Sequence, residues 1–135
     1  MKPFLDTNIL IYATLSDDPR RAAAERAIEA GGTISIQVLN EFTNVARGKL
    51  KRSWAKVEAT LDLIKGKVGR ARSITVATHD RAAALARDHG FSFYDALIVA
   101  AAIEAGCDTL LTEDMQHGRV IDGLTIQNPF SPSAA

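Results

Sequence analysis

The sequence predicts an α/β domain built on a mostly parallel sheet with helices on both faces. Short strand-like segments alternate with helix-like segments along the chain, a pattern typical of such sheets. The length of 135 residues suits one domain with a sizeable core. The chain has no linker, repeat or low-complexity tract that would divide it, so we expect residues 1–135 to form a single domain.

The predicted elements follow one another with clear boundary signals. Asp18 and Pro19 mark a helix start, as N-cap and first helical residue. Five short segments are predicted strands: residues 2–5, 33–36, 73–76, 108–112 and 124–127. The predicted helices begin near residue 8, run from 18 to the glycines at 31–32, include Val38, Phe42 and Val45, and cover 53–64, 78–89 and 93–105. Residues 131–135 are expected to be a short flexible tail.

Composition excludes several classes of protein. Cys107 is the only cysteine and the three histidines are scattered, which argues against a Cys/His zinc site and is consistent with a reducing cytoplasm. The longest apolar run, residues 96–103, is too short to span a bilayer. Asp6 interrupts the apolar N-terminal stretch, so a secretory signal is not expected. We therefore expect a soluble, cytoplasmic protein without a membrane partner.

Charge is distributed unevenly although the formal net charge is zero. Residues 47–72 contain nine basic side chains and two acidic ones, giving +7, and the rest of the chain carries −7. This segment is a candidate RNA-binding surface, and its alternative interpretation is an ordinary solvated helix pair. The candidate RNA-binding residues are Arg47, Lys49, Lys51, Arg52 and Lys56.

Asp6 lies in the middle of the first core-forming segment, where a carboxylate is unexpected. Buried acids are rare unless they are paired or bind a metal. Helix capping would explain one polar residue here, because Asp, Thr and Asn all favour the N-cap. It explains the run Asp6, Thr7 and Asn8 less well.

Three further acids fall at comparable places. Glu41 shares a helix face with apolar side chains, and a buried ion pair is the alternative explanation. Asp95 begins the helix at residue 93, where Ser92 and Asp95 also match a capping box. Asp114 follows the fourth predicted strand closely behind Thr112, in a position where turns often use Asp. Its neighbour Glu113 is interpreted as solvent-facing.

Together, the four acids predict a metal site. In open parallel sheets, ligands bind beyond the carboxyl ends of the strands, and all four acids are predicted at that edge. Converging carboxylates repel one another unless a cation neutralises them. A ligand set of oxygens alone suits Mg²⁺, with Mn²⁺ as a second possibility. Thr7 and Asn8 are then expected to cap and orient the first helix. The predicted site residues are Asp6, Glu41, Asp95 and Asp114.

Four sequence fragments resemble the PIN-domain ribonucleases, specifically the VapC type of bacterial toxin: FLDTNILIYA, LNEFTNV with Glu41, FYDALIVAAA, and LLTEDMQHG with GLTIQNPF further on. The resemblance extends over nearly the whole chain. It implies a five-stranded parallel sheet in the order 3-2-1-4-5, numbering the predicted strands along the chain. It also implies that the four acids are the catalytic and metal-binding quartet, with the Thr112 hydroxyl in support.

The resemblance further implies a Mg²⁺-dependent endoribonuclease that acts as a toxin on cellular RNA. A small antitoxin of the VapB type would neutralise it, and the chain would form a homodimer. The alternative within the family is a nuclease with a housekeeping role in RNA processing.

Two other classes are less consistent with the residues. A phospho-receiver-like signalling module needs an acceptor Asp after the third strand and a Lys after the fifth, and neither is present. A non-catalytic binding module would use the acids for stability alone. The chain has no glycine-rich phosphate loop, which argues against nucleotide hydrolysis.

Overall fold

The structure, a computed structural model, describes residues 1–131. The described residues form one strand, then six helices, then three strands: β1 Pro3–Leu5, α1 Thr7–Leu15, α2 Arg21–Glu29, α3 Ile36–Gly48, α4 Trp54–Val68, α5 Val76–His89, α6 Phe93–Glu104, β2 Thr109–Leu111, β3 Val120–Ile121 and β4 Leu124–Gln127. The predicted α/β fold class is confirmed. Most of the predicted tail, residues 132–135, lies outside the described residues.

The strands form one sheet in the order β1-β2-β4-β3. β1 pairs with β2 and β2 pairs with β4, both in parallel, and β3 pairs with β4 antiparallel. Two isolated parallel bridges extend the sheet beyond β1, joining Phe4 to Thr33 and Ser35 to Arg72. Side by side across the sheet lie Arg72, the segment of Thr33 and Ser35, β1, β2 and β4. This arrangement agrees with the predicted order 3-2-1-4-5, although the first two positions are held by isolated bridges and not by strands.

The second and third predicted strands differ most from the structure. Residues 33–36 contribute only bridges at Thr33 and Ser35 before α3 begins at Ile36. The third predicted segment, residues 73–76, forms no strand: the bridge falls one residue earlier, at Arg72, and Val76 is already helical. The reason is local: the Thr75 and Thr78 side chains form a reciprocal capping box that starts α5.

Hydroxyl side chains begin most of the later helices. Ser35, Ser53, Thr75 and Ser92 each accept a hydrogen bond from the backbone N–H three residues further on. Helix α2 begins later than predicted, because Asp18 is not its N-cap. The Asp18 carboxylate instead accepts from the backbone N of Arg20 at 2.9 Å, and the helix starts at Arg21.

A continuous apolar core lies between the sheet and the helices. Phe4, Leu110 and Ile126 on neighbouring strands are completely buried, as expected for strands covered on both faces. Helix α6 is buried without interruption from Ala96 to Ala102. This packing fixes the ends of β1 and β2, from which the candidate site projects.

The antiparallel hairpin of β3 and β4 adds an element beyond the five predicted strands. Its two-residue turn is Asp122-Gly123, and both residues have positive φ, 48° and 82°. An Asp-Gly pair between apolar residues is a strong sequence signal for such a turn. Among the described residues, no helix combines the length and apolarity needed to cross a bilayer.

Candidate active site

The site is built where β1 and β2 end side by side. Leu5 lies opposite Leu111 in the parallel register, so the next residues, Asp6 and Thr112, leave the sheet together. The backbone N of Asp6 donates to the carbonyl of Leu111 at 3.0 Å. This is the carboxyl edge of the sheet, where α/β domains place their ligands.

Asp6 is a buried carboxylate, only 3% exposed. Its Oδ1 accepts from the backbone N of Thr7 at 2.7 Å, and its Oδ2 accepts from Oγ1 of Thr112 at 2.7 Å. Burial raises the pKa of Asp6 to about 6, although both hydrogen bonds oppose the rise. The negative charges of Asp114 and Asp95 raise it further. Asp6 therefore lies in an environment that disfavours its charge.

Thr7 and Asn8 connect Asp6 to two other acids. We expected them to cap α1, but the cap is the Asp6 carboxylate itself. The Thr7 hydroxyl points instead at Oε1 of Glu41, 3.5 Å away. The Asn8 amide donates to Oδ2 of Asp114 at 2.7 Å. The first turn of α1 thus links three of the predicted site acids.

Glu41 lies on α3, half-buried and facing Asp6. Its Oε2 accepts from the amide of Gln37 at 3.3 Å, one turn earlier on the helix. Burial, reinforced by the charge of Asp6, raises the pKa of Glu41 to about 6. The alternative of a buried ion pair is not observed, because no cation among residues 1–131 pairs with Glu41.

Asp95 lies in the first turn of α6. Its backbone N donates to Oγ of Ser92 at 3.3 Å, which is the N-cap interaction that the sequence indicates. Burial raises the pKa of the Asp95 carboxyl, hydrogen bonding to Ser92 opposes the rise, and the charge of Asp114 adds to it. Asp95 is therefore coupled to the acid that follows β2.

Asp114 is exposed, and its backbone is held by a buried hydroxyl. Its N donates to Oγ1 of Thr112 at 3.2 Å, and Thr112 is completely buried. Thr112 thus contacts both Asp6 and Asp114 through one oxygen atom. Its predicted place beside the acids agrees with these contacts.

The four acids approach one another through intervening polar groups. Within residues 1–131, no three His, Cys, Asp or Glu side chains lie close enough to form a ready-made metal-binding group. The same part of the chain offers none of the four acids a Lys, Arg or His ion pair. In that part of the chain, the arrangement is a set of carboxylates without a cationic partner, in which burial and neighbouring negative charge raise the pKa values of Asp6, Glu41 and Asp95.

Glu113 is not solvent-facing, which corrects the sequence interpretation. Its carboxylate pairs with the guanidinium of Arg20, which also binds Asp18 at 2.7 Å. The same guanidinium lies 4.5 Å from the centre of the Tyr12 ring. Burial, hydrogen bonding to Glu113 and the charge of Glu113 raise the pKa of Tyr12 to about 12. This cluster fixes the residue between Thr112 and Asp114.

The five candidate RNA-binding residues lie at the connection of α3 and α4. Arg47 donates to the carbonyl of Arg52 at 2.9 Å, and Arg52 donates to the carbonyl of Leu15 at 3.2 Å. These two arginines therefore also hold the connection against the end of α1. The three lysines of the set, Lys49, Lys51 and Lys56, are exposed.

A sequence model of the PIN domain family matches residues 4–122. The chain belongs to the PIN domain family. This match includes most of β1, all of β2 and all four acids of the site. Strand β4 lies beyond the matched residues.

The PIN domain is similar in fold to solved structures of toxins. VapC20 of Mycobacterium tuberculosis, described as a sarcin-ricin loop cleaving toxin, is 20% identical with a TM-score of 0.70, covering 84% of this chain and 90% of that one. A toxin-antitoxin complex from Klebsiella pneumoniae is 23% identical with a TM-score of 0.71, covering 96% and 98%. VapBC2 of Rickettsia felis, bound to a DNA fragment from its promoter, is 21% identical with a TM-score of 0.65, covering 95% and 98%. None of the curated proteins matches the chain in sequence.

Proposed function

We propose that this PIN domain is a metal-dependent endoribonuclease that hydrolyses phosphodiester bonds in cellular RNA. The observation that carries the proposal is the buried Asp6 carboxylate at the carboxyl edge of the sheet. In addition to the effect of burial, the charges of Asp95 and Asp114 raise the pKa of Asp6, and the charge of Asp6 raises the pKa of Glu41. None of the four acids has a cationic partner among the described residues. Membership of the PIN family supports the same chemistry.

The donor atoms of the four acids suit a hard divalent cation, and their side chains would have to draw closer together to bind one within residues 1–131. Asp6, Glu41, Asp95 and Asp114 supply only oxygen ligands, which suits Mg²⁺ and also Mn²⁺. The chemistry that such an ion supplies is Lewis acidity, which polarises phosphoryl oxygens and acidifies water. Burial is the main cause of the raised pKa values of Asp6 and Glu41, and a bound cation would offset both this cost and the repulsion between the acids that adds to it.

Three neighbours are proposed as positioning residues. Thr112 holds the Asp6 carboxylate and the Asp114 backbone, while Asn8 holds the Asp114 carboxylate. Thr7 fixes one Asp6 oxygen through its backbone N and approaches Glu41 through its hydroxyl. Ligands held in this way keep their orientation in the site.

The physiological role that we propose is that of a VapC-type toxin acting in the cytoplasm as a homodimer. The fold shared with toxin and toxin-antitoxin structures supports this role. A small VapB-like antitoxin would inhibit the enzyme by directing an Arg or Lys side chain at the acids, where it competes with the metal.

A growth experiment separates the toxin from a housekeeping nuclease. Induced expression of the wild-type chain should arrest growth, and Asp6→Asn should relieve the arrest. Co-expression of a small protein encoded by an adjacent gene should restore growth by forming a stable complex. Normal growth at high levels of soluble, RNA-cleaving protein would contradict the toxin role and favour RNA processing.

The enzymatic activity is tested with purified protein and total RNA. Cleavage should occur with Mg²⁺ and stop with a chelator, and mapping of the new ends should identify the cut sites. The Asp95→Asn protein is the control for contaminating nucleases, because it follows the same purification. Metal-independent cleavage, or equal cleavage by Asp95→Asn, would contradict the proposal.

A further inference from the structure

A polar groove leads away from the candidate active site along α3. A depression of about 350 Å³ is lined by Gln37, Asn40, Glu41, Asn44 and Tyr94. A second depression of about 580 Å³ is lined by Asn40, Thr43, Asn44, Arg47, Gly48 and Trp54. The two share Asn40 and Asn44, so they adjoin. One end contains a site acid, and the other contains Arg47 and Trp54.

Two large aromatic side chains border this groove and are exposed. Tyr94 is 64% exposed at the active-site end, directly before Asp95. Trp54 is 55% exposed at the far end. The guanidinium of Arg47 lies 4.6 Å from the centre of the Trp54 ring, which fixes the orientation of the indole. The Arg47 guanidinium covers one face of the indole, and the exposed parts of the Trp54 and Tyr94 rings offer flat surfaces on which a flat ligand can stack.

We propose that this groove is a binding subsite for single-stranded RNA, with a base stacked on Trp54. The inference rests on the proposed nuclease function and assigns the substrate path to specific residues. Stacking on aromatic side chains beside an arginine is the usual way in which proteins bind single strands. Asn40 and Asn44 add amide donors and acceptors that can pair with base edges.

The dimensions agree with a short strand that reaches the acids. Glu41 and Arg47 are six positions apart on α3, which corresponds to about 9 Å along the helix. Stacked nucleotides in a strand are about 3.4 Å apart, so a base on Trp54 would lie a few nucleotides from the cut. Exposed Lys49 and Lys51 follow the groove at its Trp54 end and could contact phosphates.

The lining favours RNA over a protein segment. The depression beside Trp54 is lined by amides, a hydroxyl, a glycine, an arginine and an indole, without an aliphatic side chain. By contrast, a separate groove between α1, α2 and α4 includes Ala13, Ile28, Leu63 and Ile64, the kind of surface that an apolar peptide requires. Amides and a stacked guanidinium match bases better than they match an apolar helix.

The test uses Trp54 as its own reporter, because it is the only tryptophan in the chain. The wild-type protein is titrated in chelator, so that cleavage cannot consume the probe. The probe is an unstructured RNA of about ten nucleotides, within the range that one single-strand groove covers. Saturable quenching of the indole fluorescence is expected, with the same midpoint as a labelled-probe anisotropy titration.

Variants then measure the contribution of the ring. Trp54→Ala should weaken RNA binding about 5- to 150-fold, the equivalent of losing one stacked base. Trp54→Phe should retain most of the affinity, and Tyr94→Ala should weaken binding as well. The matched control is Leu63→Ala, since Leu63 is also on α4 and also 55% exposed but lines the other groove. Its RNA affinity should equal that of the wild type.

The outcomes separate the subsite from the nuclease function. Unchanged RNA affinity in folded Trp54→Ala, with active wild-type enzyme, would overturn the subsite alone. Trp54 quenching without any Mg²⁺-dependent cleavage would support the subsite and contradict the nuclease. If Trp54→Ala does not fold, the wild-type titration decides the question, because RNA binding seen by anisotropy without quenching of the Trp54 fluorescence would overturn the subsite. Equal weakening by Leu63→Ala would also overturn the subsite.

Discussion

Thr112 donates a 2.7 Å hydrogen bond from Oγ1 to Oδ2 of Asp6, a residue 106 positions away in the sequence. The same oxygen accepts from the backbone N of Asp114 at 3.2 Å. Both Asp6 and Thr112 are buried, so no water competes for these bonds. One hydroxyl therefore ties together the ends of two neighbouring strands and two of the proposed metal ligands.

Replacing Thr112 with Val should destabilise the protein, because the isosteric side chain leaves the buried Asp6 carboxylate with one of its two hydrogen-bond donors. We expect a loss of about 2–3 kcal/mol in the free energy of unfolding, together with reduced RNA cleavage. Urea denaturation monitored by circular dichroism measures the first effect. Thr112→Ser keeps the hydroxyl and should lie much closer to the wild type. Wild-type stability in Thr112→Val would show that the bond contributes little.

The adjacent residues Glu113 and Asp114 should behave in opposite ways. Asp114→Asn should abolish metal-dependent cleavage with little change in stability, because Asp114 is exposed. Glu113→Gln should retain cleavage but lose about 0.5 kcal/mol of stability, because it weakens the pair with Arg20. Cleavage assays on both proteins measure the expected difference in activity, and thermal melts measure the expected difference in stability. Full activity in Asp114→Asn would remove it from the proposed metal site.

The sequence pattern of individual segments predicted the central parallel strands and the positions of the acids at the ends of those strands. The segments predicted at residues 108–112 and 124–127 are observed as β2, which is buried throughout, and β4, which alternates buried Leu124 and Ile126 with more exposed Thr125 and Gln127. The acids at 6 and 114 follow strand ends, as expected. Their ligand roles stay a prediction.

The differences arise where local signals conflict or long-range contacts decide. The β-branched residues Thr75 and Val76 favour a strand, but the capping box of Thr75 and Thr78 starts a helix there. Glu113 pairs with Arg20, 93 positions away, and no local pattern encodes that contact. The capping role of Asp6 itself was obscured because Thr7 and Asn8 are also good capping residues.

Tyr12 should make stability depend on alkaline pH. The folded protein raises its pKa from 10 to about 12, so the folded state favours the neutral phenol. Its contribution is therefore fully present below pH 10 and is lost as the pH rises through 12. The free energy of unfolding, measured by denaturation at several pH values between 10 and 12, should fall more steeply with pH for the wild type than for Tyr12→Phe. Equal slopes in the two proteins would contradict the contact with Glu113.

The exposed lysines at the connection of α3 and α4 should contribute phosphate contacts. Replacing Lys49, Lys51 and Lys56 with Gln should weaken RNA binding. The slope of the logarithm of the binding constant against the logarithm of the salt concentration should become shallower by about 0.7 per lost phosphate contact. Arg47 and Arg52 are left intact because both also hold the α3–α4 connection. The control removes three exposed arginines elsewhere: Arg26, Arg81 and Arg87. Equal salt slopes in both triple variants would indicate a general charge effect.

The central claim is that the four acids form a metal site, and the most direct test is a titration of the purified protein with Mn²⁺. The concentration of free Mn²⁺ is measured by electron paramagnetic resonance. The wild-type protein should bind the ion, and Asp6→Asn, Asp95→Asn and Asp114→Asn should each bind it much more weakly while remaining folded. Asp62→Asn, which removes an exposed acid on α4, should bind like the wild type. Absence of binding by the wild type, or unchanged affinity in the three site variants, would contradict the assignment of these acids as a metal site.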